Sequence, residues 1–160
     1  SKVRVVCDQF GTPTSTLELT KGIDSLLFSD NYGLFHATCE GQCSWADFAK
    51  EVFRLAGKDM EVEYVTTAQY LADYPQQAAR PANSVLENYM FKMTNGHMFA
   101  TWEEAIAEYM TFYSTERIQE RFNGKTPAEV RAEALAADTP IQYPIPENKR
   151  IQKYKARYAA

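Results

Sequence analysis

Only three short stretches of this 160-residue sequence have the pattern of β-strands, and helical patterns separate them. The first is an apolar run at 3–7, the second is Leu-Phe-His-Ala at 34–37, and the third is the alternating Met-Glu-Val-Glu-Tyr-Val at 60–65. Strands that alternate with helices are typical of an α/β fold, but three strands are too few for a doubly wound sheet. We therefore predict a small three-stranded sheet with flanking helices and a helical C-terminal extension.

Capping residues and apolar periodicity predict the helices. One begins after the capping-box pattern Ser-Thr-Leu-Glu at 15–18, one spans 101–122 before an Asn-Gly stop, and one begins at Thr126, which precedes a proline. The clearest helix begins at Ser44 and ends before Gly57. Its apolar stripe is expected to face the core and consists of Trp45, Phe48, Ala49, Val52, Phe53 and Ala56.

Charge is distributed unevenly along the chain. The formal net charge of −4 argues against nucleic acid as a partner of the whole molecule. The last fourteen residues nevertheless carry five cations against Glu147, a net of +4, so residues 1–146 hold −8. We expect 139–160, which begins with three prolines and no periodicity, to be an extended basic tail. A nucleic-acid-binding module that uses this tail, with Tyr154 and Tyr158 between the cations, is an alternative function.

The cysteines and histidines do not form a recognisable site in the sequence. Three cysteines at irregular spacing do not indicate a disulfide framework, which favours a cytoplasmic protein. His36, Cys39 and Cys43 lie close together, but a structural zinc site needs four ligands and the other histidine, His97, is remote. No apolar run approaches the roughly 20 residues of a membrane span. We therefore expect no metal, no leader segment and no membrane partner.

Three motifs resemble dTDP-4-dehydrorhamnose reductases in their order and spacing. They are DQFGTPT at 8–14, GLFHATCEGQCSWADFAKEVF at 33–53 and ARPANSVLEN at 79–88. That family belongs to the extended short-chain dehydrogenases and reduces a 4-keto nucleotide sugar to dTDP-rhamnose with NADPH or NADH. The resemblance covers about residues 1–110, and it implies the C-terminal, sugar-nucleotide-binding part of such an enzyme.

The resemblance also implies a binding site for a dTDP-sugar or dTDP. In the family the D-Q-x-G-x-P-T turn approaches the substrate, which implicates Gln9, Thr12 and Thr14. The R-P-x-N-S element resembles the position where related enzymes present an arginine to the nucleotide diphosphate, here Arg80, with Asn83 nearby. A guanidinium fork suits two phosphate oxygens, and the adjacent proline stiffens the loop. The alternative is that both motifs are ordinary surface turns.

Residues for hydride transfer are missing from the sequence. It contains no G-x-G-x-x-G or G-x-x-G-x-x-G pattern for a dinucleotide. The acid catalyst of the family is a tyrosine four residues before a lysine, and none of the ten tyrosines has that partner. We therefore predict that this chain alone has no catalytic residue, binds no cofactor and only binds its ligand weakly, whereas the intact family uses NADPH or NADH.

A second resemblance follows the first along the chain. The stretch FYSTERIQERFNGKTPAEVRAEAL at 112–135 resembles the end of insertion-sequence transposases with a retroviral-integrase-like core, although Ser114 replaces their usual asparagine. The carboxylates that would hold two metal ions in those enzymes are not evident in 1–100, so transposase activity is not expected. We predict a substrate-binding subdomain at 1–110, a helical extension at 111–138 and the tail. A gene fusion, or an inert remnant of one, is the corresponding hypothesis.

Association of two copies is a further expectation. A subdomain of a larger enzyme exposes apolar surface that its neighbouring domain would cover. A two-fold pair needs only one self-compatible patch to hide such a surface. We therefore predict a homodimer with the helix at 101–122 at or near the contact.

Overall fold

The computed structural model describes residues 2–78, 80–94, 96–139 and 156, in two compact units, Ser1–Met110 and Thr111–Ala160. Apart from Thr139 and Ala156, the predicted basic tail lies outside the described residues. The elements of the first unit, in chain order, are β1 (Lys2–Val6), β2 (Phe10–Gly11), α1 (Thr16–Leu27), β3 (Cys43–Ser44), α2 (Trp45–Leu55), β4 (Glu61–Val65), α3 (Thr67–Asp73), α4 (Tyr89–Met93) and α5 (Trp102–Thr111), whose last residue belongs to the second unit.

The strands pair as two small sheets. Strands β1 and β4 are parallel, in a register that runs from Lys2 opposite Glu61 to Val6 opposite Val65. Strands β2 and β3 are antiparallel and only two residues long. The α/β class is confirmed, but the single three-stranded sheet is wrong. The stretch at 34–37 forms no strand, because a strand needs a neighbour for its backbone groups and the described residues offer it none.

Helix α2 begins and ends as the sequence predicts. The Ser44 hydroxyl accepts a bond of 3.1 Å from the Asp47 N–H, and the Asp47 carboxylate accepts from the Ser44 N–H at 3.3 Å, which completes a capping box. The predicted stripe is wrong at its first position, because Trp45 is 56% exposed while Ala46 is fully buried. The helix packs against β1, β3 and β4.

The core of the first unit has two parts. Cys39, Cys43, Trp102 and Ala105 form one buried cluster, and Phe48 packs against it. Burial raises the pKa of the Cys43 thiol to about 11 and also raises that of Cys39, so both are neutral packing groups. The other part is aromatic and consists of Phe91 with its edge-to-face neighbours Phe35 and Phe99. Within the described residues, no three His, Cys, Asp or Glu side chains group as a metal site.

The second unit is helical where it is described. The helix predicted at 101–122 is interrupted: α5 ends at Thr111, a π-helical turn follows at Phe112–Glu116, and a short 3₁₀ helix spans Glu120–Phe122. Helix α6 (Pro127–Ala136) begins at Thr126 with the predicted capping box and proline. Of the helices described here, none is long and apolar enough to cross a membrane.

Candidate functional site

Strand β2 joins two motifs that are far apart in the sequence. The Phe10 N–H donates to the Ala82 carbonyl at 2.8 Å, and the Ser84 N–H donates to the Phe10 carbonyl at 2.9 Å. On its other side Phe10 pairs with Ser44, the residue that caps α2. The arginine loop and the start of α2 therefore flank the D-Q-F-G-T-P-T segment.

A cavity of about 810 Å³ lies at this junction. Its volume falls in the range of small-molecule pockets, about 300–1,000 Å³. Of the predicted site residues, Gln9, Thr12 and Arg80 line it. Thr14 and Asn83 are not among its described lining residues. The structure thus brings three of the five predicted residues to one cavity.

Thr14 and Asn83 hold the loops that border the cavity. The Thr14 hydroxyl donates to the Thr12 carbonyl at 3.1 Å and accepts from the Cys39 N–H at 3.1 Å. The Asn83 side-chain oxygen accepts from the Val85 N–H at 2.9 Å, which stabilises the turn after the arginine. These bonds give both residues a positioning role, and direct contact with a substrate stays a prediction.

The end of β1 is fastened to the start of α3. The Asp8 carboxylate accepts the Thr67 N–H at 2.9 and 3.0 Å and the Thr67 hydroxyl at 2.6 Å. These bonds, above all the one from the hydroxyl, lower the pKa of Asp8, so it stays ionised. The Gln9 side-chain amide donates to the same hydroxyl at 3.0 Å, and the Thr12 hydroxyl donates to the Gly41 carbonyl at 2.8 Å. No local sequence pattern indicates the bonds between Asp8 and Thr67, because these two residues lie 59 positions apart in the chain.

The electrostatics of the cavity favour an anion. Its lining contains no acidic residue among those described, and its two charged residues are Arg4 and Arg80. Arg4 is neutralised because its guanidinium pairs with Asp73 and lies 3.8 Å from the Glu63 carboxylate. Arg80 is exposed, and within the described part of the chain no hydrogen bond or ion pair engages it. The cavity therefore carries one uncompensated guanidinium.

Aromatic side chains supply another part of the lining. Phe10, Trp45 and Tyr70 all line the cavity, and Phe10 is 40% exposed. The Trp45 ring meets Phe48 edge to face, with centroids 6.4 Å apart. Sequence analysis assigned Trp45 to the core and did not consider Tyr70. The available signal was the position of Trp45 as the first residue of α2, at the end of the helix that borders the cavity.

This arrangement is that of a small α/β binding domain. Residues 1–115 match the family described as RmlD substrate binding domain, and the chain belongs to that family. The resemblance to reductases over about residues 1–110 is thereby confirmed, whereas the transposase-like segment stays a prediction.

Relatives and solved structures agree with this family. The chain is 36% identical over 109 residues to the spore coat polysaccharide biosynthesis protein SpsK of Bacillus subtilis. This match covers 68% of this chain and 36% of that protein. It is 33% identical over 115 residues to a dTDP-4-dehydrorhamnose reductase of Sinorhizobium fredii, covering 65% and 38% respectively. Among solved structures, a Clostridium acetobutylicum dTDP-4-dehydrorhamnose reductase shares 45% identity with a TM-score of 0.64, over 69% of this chain and 38% of that one. The chain thus spans somewhat more than a third of the length of these relatives.

One related structure was solved with a dinucleotide cofactor. A Bacillus anthracis reductase of similar fold, with 31% identity and a TM-score of 0.62 over 69% of this chain and 37% of that one, was solved in complex with NADP. Such cofactors need a glycine-rich turn that leads from a strand directly into a helix, whose free N–H groups hold the phosphates. Here β1 leads into β2 and not into a helix. Strand β4 does lead into helix α3, but the Thr67 N–H at the start of that helix already donates to the Asp8 carboxylate.

Proposed function

We propose that this domain binds a dTDP-linked sugar and that Arg80 holds its diphosphate. The observation that carries the proposal is the uncompensated guanidinium of Arg80 in a cavity whose other arginine is neutralised. Guanidinium and diphosphate match in charge and in the geometry of paired donors and acceptors. The names of several relatives as reductases of dTDP-linked sugars support the choice of ligand.

Gln9 and Thr12 are the further polar contacts in this proposal. Both line the cavity beside the arginine, and the bonds of Gln9 to Thr67 and of Thr12 to Gly41 fix their side chains in advance. Fixed donors and acceptors lower the entropic cost of binding. One arginine contact and a few neutral contacts make a weak site. We expect a dissociation constant near 1 mM, which corresponds to a binding free energy of about −4 kcal/mol.

A nucleotide titration followed by NMR tests the proposal. We expect dTDP to shift amide signals around the cavity in the wild type and to leave them unchanged in Arg80→Ala. Arg54→Ala is the matched control, because Arg54 is an exposed arginine of α2 that pairs with Glu51 and does not line the cavity. Equal shifts in Arg80→Ala and the wild type would show that Arg80 is not the phosphate contact.

We also infer that this polypeptide by itself performs no reduction. None of its tyrosines precedes a lysine by four residues, and it has no glycine-rich dinucleotide pattern. In this proposal it contributes the sugar-nucleotide wall of a site for dTDP-rhamnose formation, and the cofactor and proton donor come from elsewhere.

For the segment at 112–137 we propose an origin in an insertion-sequence transposase. The two motif halves, ending in Arg-Ile-Gln and beginning with Thr-Pro-x-Glu, are separated by a left-handed turn at Asn123 and Gly124, with φ of 54° and 78°. The sequence of the genomic locus tests the fusion: insertion-sequence remnants next to the reading frame are expected. A locus with an uninterrupted reductase gene and no such remnants would exclude it.

A further inference from the structure

We propose that the indole of Trp45 is the platform on which the nucleotide base stacks in this cavity. This assignment rests on the proposed nucleotide binding and specifies which residue holds the base. It follows from where the backbone places Trp45, how exposed the residue is, and the pairing of its segment and the Arg80 segment with opposite sides of strand β2.

The backbone holds Trp45 in a defined position. It is the first residue of α2, directly after Ser44, which is buried and caps the helix. Ser44 in turn pairs with Phe10 in the small sheet. The Trp45 ring also packs edge to face against Phe48. A ring held in this way loses little conformational freedom on binding.

Trp45 differs from the other tryptophan in its exposure to solvent. It is 56% exposed beside a cavity, whereas the other tryptophan, Trp102, is 6% exposed in the core. Covering an aromatic ring with a base removes apolar surface from water and adds a stacking contact. Alanine substitution of such stacking residues weakens binding by about 5- to 150-fold per base.

The segments that carry Arg80 and Trp45 lie on opposite sides of strand β2, which suits a ligand with a diphosphate at one end and a base at the other. The segment that follows Arg80 pairs with one side of Phe10, and the segment that precedes Trp45 pairs with the other. Two strand spacings of about 4.8 Å separate these segments, roughly 10 Å in all. An extended nucleoside diphosphate bridges such a gap with its phosphates at the arginine and its base at the indole.

Comparison of two ligands isolates the contribution of the base. We expect dTDP to bind the wild type more tightly than inorganic pyrophosphate does, and Trp45→Ala to weaken dTDP binding at least about 5-fold. The same substitution leaves pyrophosphate binding unchanged, since only the base contacts Trp45. Tyr89→Ala is the matched control, because Tyr89 is 60% exposed, is likewise the first residue of a helix, and does not line the cavity. Circular dichroism verifies that each variant is folded.

Fluorescence supplies a second measurement, which reports contact of the ligand with the indole directly. The sequence has two tryptophans, and Trp45 is the exposed one. We expect dTDP to quench the exposed emission of the wild type, and the quenching to disappear in Trp45→Phe, where the buried Trp102 alone emits. Pyrophosphate is expected to cause no quenching in either protein.

The possible results separate this inference from the proposed function. If dTDP binds through Arg80 but Trp45→Ala does not weaken it, the stacking is refuted and the proposed function stands. If Trp45→Ala weakens dTDP-glucose but not dTDP, Trp45 contacts the sugar and the inference is refuted. If neither dTDP nor pyrophosphate binds the wild type, both proposals fail.

Discussion

The carboxylate of Glu18 lies 3.1 Å from the Nε2 atom of His97, although 79 positions separate the two residues. The same carboxylate accepts bonds from the Lys21 ammonium at 2.6 Å and from the Ala100 N–H at 2.9 Å, and Glu18 is 2% exposed. Burial alone would raise the pKa of Glu18, but these three donors outweigh it and lower the pKa to about 2. Glu18 thereby joins α1 to the segment that leads into α5.

The first prediction is that Glu18→Gln lowers stability and flattens its dependence on acid. Because the folded-state pKa of Glu18 is depressed, its contribution is fully present above the ordinary value of 4.5 and is lost as the pH falls toward 2. We expect the free energy of unfolding at neutral pH to drop by about 2–3 kcal/mol. Between about pH 5 and 2 it should fall less steeply in the variant than in the wild type. Urea unfolding at a series of pH values measures both quantities.

Glu61→Gln is the control for this prediction. The Glu61 side chain is 71% exposed and pairs with Lys2 at 3.6 Å, and exposed pairs of this kind contribute little. Its stability curve should follow that of the wild type. If the free energy of unfolding fell equally steeply between about pH 5 and 2 in Glu18→Gln and in the wild type, the role of Glu18 would be contradicted.

The second prediction concerns Gly22, which is buried in α1. A Cβ atom at this position would lie 2.6 Å from Cζ of Phe99, whose ring is held by edge-to-face contacts with Phe91 and His97. Alanine gains about 1 kcal/mol of helix propensity, but overpacking costs about 1–3 kcal/mol. We expect Gly22→Ala to lower the melting temperature. The loss should shrink in a Phe99→Leu background, where the smaller side chain can move, and a stabilised single variant would refute the close contact.

Sequence patterns predicted the fold best where the signals are local. The caps at Ser44 and Thr126 were correct, because each depends on neighbouring residues. The strands around 3–7 and 60–65 were also correct, because each provides the pairing partner of the other. The stretch at 34–37 was wrong because strand formation requires a partner elsewhere in the chain. Glu18 shows the same limit. Its N–H does donate to Ser15 at 3.2 Å, as a helix cap requires, but its carboxylate serves distant residues instead of completing the box.

Part of the candidate site was accessible from the sequence in the same way. Gln9, Thr12 and Arg80 were proposed from their motifs, and the structure brings them to one cavity; their contact with a ligand stays a prediction. The aromatic lining was missed, because periodicity assigns an apolar residue at the start of a helix to the core. Trp45 departs from that rule, because the next residue, Ala46, takes the buried position.

The third prediction is the absence of reductase activity in this polypeptide alone. With NADPH and a dTDP-4-keto-6-deoxy sugar, we expect no loss of absorbance from the cofactor above the background. The physical reason is that the chain lacks both a glycine-rich dinucleotide turn and a Tyr-x-x-x-Lys proton donor. A full-length reductase from Bacillus anthracis is the positive control. Turnover that copurifies with this chain through successive columns would overturn the prediction.

The fourth prediction is that the protein forms a homodimer in solution. Exposed apolar side chains concentrate on the second half of α1 and the loop that follows it, more than a stable monomer normally leaves in contact with water. These residues are Ile23, Leu27, Phe28, Tyr32 and Leu34. A two-fold axis through one such patch covers both copies at once. Light scattering coupled to size exclusion at low micromolar concentration should therefore give the mass of two chains.

Two sets of variants locate the contact in that dimer. In the segment at 101–122, Trp102 and Ala105 of α5 are buried. Phe112, which follows the end of α5, is 45% exposed. If the α1 patch makes the contact, Phe28→Asp should yield monomers, because an unpaired carboxylate in an apolar interface is costly to desolvate. Phe112→Asp should then leave the dimer intact, and the opposite result would return the contact to the 101–122 region. A wild-type protein with the mass of one chain would refute the homodimer itself.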